Sequence, residues 1–316
     1  MAPSIETRNL TKRFGAFSAL TDLNLKITGA KCVGFLGPNG AGKTTTLKMM
    51  TDMIFPTTGE AFLNGISVQR ERKPALENCG VLIETPEIYP SLTPYEALEM
   101  VGGLRGLDAA TLRRRIHEVL AEVKMEEWVH QKVGRFSKGM KQRVNIAAAL
   151  LADPEIVILD EPSTGLDPRG MSEVRDIVRG LKRSSRLIFM SSHILSEVVD
   201  VCDEVALLNR GKLLFYDTLD RVTARFADGA AVAVDAEFAR PVSDEDARGR
   251  IATLPGVVGW DRAGPQRLSL RIQGGAAAQA SVLERLAGLS LGLLSFRESK
   301  SALEEVYLRE IDRGDM

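Results

Sequence analysis

The residues with the most specific chemistry are Gly37-Pro38-Asn39-Gly40-Ala41-Gly42-Lys43-Thr44-Thr45. They fit G-x-x-x-x-G-K-[ST], the spacing of a loop that wraps a triphosphate. Glycines let the backbone turn tightly, so that several N–H groups point inward at an anion. Lys43 is then placed to reach the β- and γ-phosphates, and the Thr44 hydroxyl to ligate Mg²⁺. The flanks suit this use. Lys31 to Leu36 is an apolar run that reads as a buried strand, and Thr45 to Met50 reads as a helix. The N-terminus of that helix adds its positive dipole end to the same spot.

An acidic element lies far along the chain. Ile156-Val157-Ile158-Leu159-Asp160-Glu161 is a continuous apolar run ending in two carboxylates. Such a run suits a parallel strand covered on both faces. The acids then sit at its C-terminal end, where open α/β sheets bind ligands. Asp160 is placed to hold Mg²⁺ and Glu161 to polarise an attacking water. Leu187 to Met190 is another buried strand, and it ends on Ser191-Ser192-His193. A His there can contact a γ-phosphate or serve as a core residue, and position alone does not choose.

Two further places admit two readings each. Phe14, in the polar stretch Thr11 to Gly15, reads as a turn residue that stacks on an adenine or as an ordinary core Phe. Ser137 and Gly139 stand before a helix expected over Lys141 to Leu151. They form an anion site at its N-terminus or a plain cap. Cys79 to Glu84 reads as a short strand ending on a carboxylate.

The elements that must position these groups follow from periodicity. Ile5 to Leu10 and Leu20 to Ile27 alternate like half-buried strands. Thr93 and Pro94 mark a helix start. From Tyr95 to about Leu151 the pattern is helical, with Leu112, Ile116, Val119, Leu120 and Val123 on one face and Trp128 in the core. The segment of about 91–150 therefore reads as a helical subdomain inserted into an α/β domain spanning 1–220. Arg113 to Arg115 read as a solvated helix face. Val205 to Asn209 and Lys212 to Phe215 read as a closing hairpin. Over 221–316 the expected order is strand, helix, strand, strand, helix, strand, a small α+β domain of ferredoxin-like order. It spans Ala230 to Phe296, with a last helix over Ala302 to Ile311, and an accessory or regulatory role is expected.

Composition bounds the class. The chain has 316 residues, 44% apolar and 26% charged, with a formal net charge of −1. That is a globular balance, and it argues neither for nor against a nucleic-acid partner. The three cysteines, Cys32, Cys79 and Cys202, form no metal-ligand or disulfide pattern and read as core residues in a reducing cytosol. No signal-peptide pattern opens the chain, and no apolar run approaches the roughly 18 residues of a membrane helix. Service to a membrane would come from outside the bilayer, through a partner.

Taken together, residues 4–217 resemble the ATP-binding subunits of ABC transporters. GPNGAGKTT (37–45) is similar to the Walker A loop, FSKGM (136–140) to the LSGGQ signature, and IVILDE (156–161) to Walker B. TGLD (164–167) resembles the D-loop, His193 the switch histidine and Phe14 the adenine-stacking aromatic. The resemblance implies a P-loop NTPase fold and two chains sandwiching two Mg·ATP, with Ser137, Lys138, Gly139 and Met140 meeting ATP in trans. Asp167 would then link the two sites. It implies an ATPase at the cytoplasmic face of the membrane, a homodimer working with an integral membrane permease, and no nucleic-acid partner.

Two departures stand out: Phe136 and Lys138 in the signature, and Glu84 where the family usually carries glutamine. Glu84 can reach Mg²⁺ more directly than an amide. LIETPEIYPSLTPYE (82–96) resembles the bacitracin-resistance and lantibiotic-immunity branch, and SALEEVYLRE (301–310) the broader group that pairs with ABC-2 type export permeases. The expectation is an exporter ATPase. The alternative is a soluble ATPase of the same type, acting mechanically on ribosomes or nucleic acid.

Overall fold

A computed structural model describes residues 2–84, 86–182, 185–222 and 232–298. The chain divides into two compact units, Met1–Thr218 and Leu219–Met316.

The first unit opens with β1 (Ser4–Phe14), β2 (Phe17–Thr28), β3 (Lys31–Leu36) and α1 (Lys43–Met50). Next come β4 (Thr58–Leu63), β5 (Ile66–Ser67), α2 (Arg72–Glu77) and β6 (Cys79–Leu82). The helical stretch holds α3 (Pro94–Leu104), α4 (Ala109–Glu122) and α5 (Lys138–Leu150). The unit closes with β7 (Ile156–Leu159), α6 (Pro168–Lys182), β8 (Leu187–Ser192), α7 (Leu195–Val201), β9 (Glu204–Asn209) and β10 (Lys212–Thr218).

The apolar runs become the interior of a six-stranded sheet, ordered β10-β9-β3-β8-β7-β6. Pairing is parallel from β9 through to β6, and only β10 runs antiparallel, at the edge. Every residue of β7 and β8 is buried, as continuous apolar strands require. The alternating segments instead form an antiparallel sheet, β2-β1-β4-β5. The inward residues of both sheets share one core that includes Leu20, Leu23, Phe35, Leu47, Ile158 and Phe189.

Helix α3 starts where local chemistry says it should. Thr93 Oγ1 accepts from the Glu96 N–H, Glu96 returns a bond to the Thr93 N–H, and Pro94 occupies the first turn. Three expectations need correction. The stretch Thr11 to Gly15 is not a polar turn. β1 runs on through Phe14, which pairs with Phe17 across a tight hairpin. Helix α5 begins at Lys138, three residues earlier than expected, because Ser137 caps it. Arg115 is not on a solvated face. It is buried, and its guanidinium donates to the Leu150 and Leu151 carbonyls at the end of α5. Trp128 is half-buried in a single 3-10 turn, edge-on to Phe136 with ring centroids 6.4 Å apart.

The second unit holds β11 (Val232–Phe238), β12 (Val257–Gly264), β13 (Arg267–Ile272) and β14 (Leu293–Glu298). A short helical segment (Asp244–Asp246, continued as wider turns over Ala247–Ile251) and a helix, Gly275–Gly288, complete it. The sheet is antiparallel throughout, in the order β12-β13-β11-β14. Val234, Ala236, Phe238, Leu268, Leu270 and Ile272 point to one face and form the core with Val282 and Leu286. The start of the expected strand at Ala230, the helix over Ala302 to Ile311 and the 301–310 tail lie outside the described residues.

Candidate nucleotide-binding site

Strand register assembles the site. β3 and β8 are in step, Leu36 opposite Ser192, and β8 matches β7, Met190 opposite Leu159. The residues leaving these strands therefore gather at one carboxyl edge, the ligand-binding edge of such sheets. Gly37 leaves β3, Asp160 and Glu161 leave β7, and His193 leaves β8.

The loop after β3 needs its glycines at two places. A Cβ on Gly37 would lie 2.3 Å from the Leu208 carbonyl oxygen, and one on Gly42 2.4 Å from that of Ala19. Gly42 also has φ +105°, which side chains resist. Ala41 is fixed inside the loop, donating to Pro38 O and accepting from the Gly211 N–H. Lys43 is almost fully buried. Its Nζ donates to Gly37 O at 2.8 Å and Pro38 O at 3.2 Å, and lies 3.3 Å from Glu161 Oε1. A cavity of about 240 Å³ opens above the loop, lined by Phe17, Asn39, Lys43, Thr44, Thr45 and Glu161 among others.

Glu161 is held on several sides. Its backbone is left-handed at φ +44°. Its Oε2 accepts from Thr164 Oγ1 at 2.8 Å and meets His193 Nδ1 at 3.0 Å. Burial works to raise its pKa. The Thr164 hydrogen bond and the charges of Lys43 and His193 outweigh that and hold the carboxyl below the ordinary glutamate value. Asp160 is buried beside it, with Oδ1 accepting from Ser191 Oγ at 2.5 Å. A carboxylate and a hydroxyl at Asp160 and Thr44 are hard oxygen donors of the kind Mg²⁺ takes.

Other expected residues are not brought to this cavity. Phe14 is exposed, with Lys12 Nζ 4.8 Å above its ring, and the aromatic lining the cavity is Phe17. Glu84 is exposed, left-handed at φ +58°, and paired with Lys48 of α1. Ser137, Lys138, Gly139 and Met140 form the start of α5, where Ser137 Oγ accepts from the Met140 N–H at 3.2 Å. Asp167 Oδ1 accepts from the Gly170 N–H at 3.0 Å in the first turn of α6. Near them a second cavity of about 400 Å³ is lined by Pro86, Lys138, Gln142, Asn145, Thr164 and Leu166 among others.

Sequence reasoning overlooked Phe17, Thr164 and Ser191. A second aromatic in the hairpin and a Ser near the end of a buried strand were the available signals. The partners of Ser191 depend on cross-strand register, which no local pattern displays, whereas Thr164 reaches back three residues to Glu161 in the turn after β7.

Known proteins resemble this chain in sequence and fold. The ABC transporter family profile matches residues 20–164. The bacitracin transport ATP-binding protein BcrA of Bacillus licheniformis is 39% identical over 226 residues, covering 71% of this chain and 73% of that protein. An uncharacterized ABC transporter ATP-binding protein of Bacillus subtilis, YhcH, is 39% identical over 215 residues, 68% of this chain and 70% of that one. A solved ATP-binding subunit of an ABC transporter superposes with a TM-score of 0.63 at 31% identity, covering 70% of this chain and 92% of that chain. With the P-loop fold, the phosphate loop and the paired acids already in place, these likenesses assign the chain to the ATP-binding subunits of ABC transporters.

Proposed function

We propose that this chain hydrolyses ATP to power an ABC exporter, as a homodimer bound to an integral membrane permease at the cytoplasmic face of the cell membrane. The observation that carries the reading is Glu161, bracketed by Lys43, Thr164 and His193 beside the phosphate loop. Among the described residues no helix is long and apolar enough to cross a membrane, so a spanning partner would supply the path.

The chain's own groups suggest the order of events. The loop N–H groups and Lys43 bind the phosphates, and Phe17, with Phe14 near it on the hairpin, covers the base. Lys43 now rests on two carbonyls and on Glu161 Oε1. Turning its ammonium to the β- and γ-phosphates frees that oxygen. Glu161, ionised because its pKa is lowered, then accepts a hydrogen bond from the attacking water. His193 and Thr164 keep Oε2 occupied, so Oε1 faces the reaction. Thr44 and Asp160 would hold Mg²⁺, which offsets charge on the phosphates. Glu84, on its ion pair with Lys48, stands apart from these donors and would need to leave Lys48 to join them. In this reading Ser137, Lys138, Gly139 and Met140 serve the partner chain's ATP, Asp167 links the two sites, and 221–316 is an accessory domain.

Export is favoured by the kinship with proteins named for bacitracin transport. The test uses Glu161→Gln. It should keep ATP binding and lose hydrolysis by about 100-fold or more. Near-normal turnover would remove Glu161 from the chemistry. The same variant, tagged and held with ATP, should recover a polytopic membrane protein in comparable amount from gently solubilised membranes. Recovery of ribosomes or nucleic acid instead would overturn the transport reading.

A further inference from the structure

Two adjacent serines end β8, and they face opposite ways. Ser192 Oγ accepts from the Ile194 N–H and donates to Glu197, at the start of α7. Ser191 turns to the acids. It is fully buried, and its hydroxyl makes two bonds at once. It donates to Asp160 Oδ1 at 2.5 Å and accepts from the Glu161 N–H at 2.9 Å. Register explains the reach: Met190 stands opposite Leu159, so Ser191 lies beside the first residue after β7.

We propose that Ser191 is a positioning residue for both acids, through one hydroxyl fixed between the Asp160 carboxylate and the Glu161 backbone. The inference rests on the hydrolytic reading above and deepens it. A hydroxyl has one proton to give, and here it goes to a buried carboxylate, a short charge-assisted bond. That claims Oδ1 and leaves Oδ2 of Asp160 for a divalent cation or its water. The same oxygen accepts the N–H of a residue held left-handed, a conformation that persists only where neighbours enforce it. Ser191 thus sets the rotation of Asp160 and the direction in which Glu161 leaves the strand. Without it a buried carboxylate oxygen and a part-buried N–H both lose their partner, so the pair would shift rather than merely loosen.

The test compares the full chain with Ser191→Ala and Ser191→Thr. Mn²⁺ binding is titrated by electron paramagnetic resonance with a non-hydrolysable ATP analogue, alongside steady-state hydrolysis in Mg²⁺ and nucleotide binding without metal. Ser191→Ala should weaken Mn²⁺ binding about 10-fold and lower kcat about 10- to 100-fold, in the range of lost groups that orient metal ligands. Its metal-free nucleotide affinity should be unchanged, and Ser191→Thr should retain all three. Wild-type Mn²⁺ affinity in Ser191→Ala overturns the proposal, as does equal loss in Ser191→Thr. If Ser191→Ala does not fold, Ser191→Cys carries the test: its weak donor should give a partial loss of Mn²⁺ affinity, and no loss overturns the proposal. Failure of the unaltered chain to bind Mn²⁺ with nucleotide or to hydrolyse ATP would instead sink the functional reading beneath it.

Discussion

Glu161 keeps its negative charge although burial opposes it, because Thr164, Lys43 and His193 all favour the ionised form. Thr164 is the cheapest of these to remove without touching the phosphates. Its hydroxyl donates to Oε2, so Thr164→Val withdraws a bond that stabilises the carboxylate, and the Glu161 pKa must rise. The acid limb of the pH profile of kcat should therefore move toward neutral pH. A profile that superposes on the unaltered protein would remove Thr164 from the site. The sign for stability is the same. A lowered folded pKa contributes stability that is complete above the ordinary glutamate value and is lost as pH falls through the folded one. Thr164→Val shrinks that contribution. At this scale the acids were readable because a strand ending in Asp160-Glu161 carries its own context. Ser191 was not, since its partners lie across the sheet, and Thr164 was not, since its bond back to Glu161 depends on how the loop after β7 turns.

Helix α5 ties three loops together. Its first residue follows the capping Ser137. Farther along, the buried Gln142 donates to the Pro162 carbonyl, just past Glu161, at 2.8 Å. Asn145, three residues on and so on the same face, donates to the Pro86 carbonyl beyond Glu84 at 3.1 Å. Asn145→Ala withdraws that part-buried bond, at a net cost of about 0.5–1.5 kcal/mol. Amide exchange should quicken over residues 86–92 and stay slow over 156–161, which Gln142 still holds. Equal quickening in both segments would mean that α5 as a whole had shifted. The same helix shows why some boundaries read well and others poorly. The start of α3 was legible because Thr93, Pro94 and Glu96 carry a complete local cap. In α5 a glycine at the second helical position looks like loop, and only the Ser137 bond to the Met140 N–H reveals the earlier start. β1 was read short for the opposite reason. Thr11 to Phe14 are mostly polar, yet pairing with β2 carries the strand on to the hairpin.

For the whole molecule, the placement of Ser137 away from the phosphate cavity is what matters. Lys43, Thr44 and Glu161 line one cavity, while Lys138 and Leu166 line another. If two copies pair about a two-fold axis, the signature of each can complete the phosphate cavity of the other, and the symmetry makes both sites equivalent. That arrangement has an arithmetic consequence. Lys43→Ala and Ser137→Ala should each abolish hydrolysis in the homodimer. Mixed in equal amounts, half of the dimers are hybrids. Each hybrid joins an intact phosphate loop from one chain to an intact signature from the other at one site, and loses both at its second site. The mixture should regain about a quarter of wild-type turnover if the sites act independently. A chain carrying both substitutions should restore nothing when mixed with either single variant, since no hybrid then holds an intact pair. Were each chain to use its own signature, neither mixture would recover activity. A recovered rate that grows with total protein concentration, and falls when either variant is in excess, is the signature of sites shared between two chains.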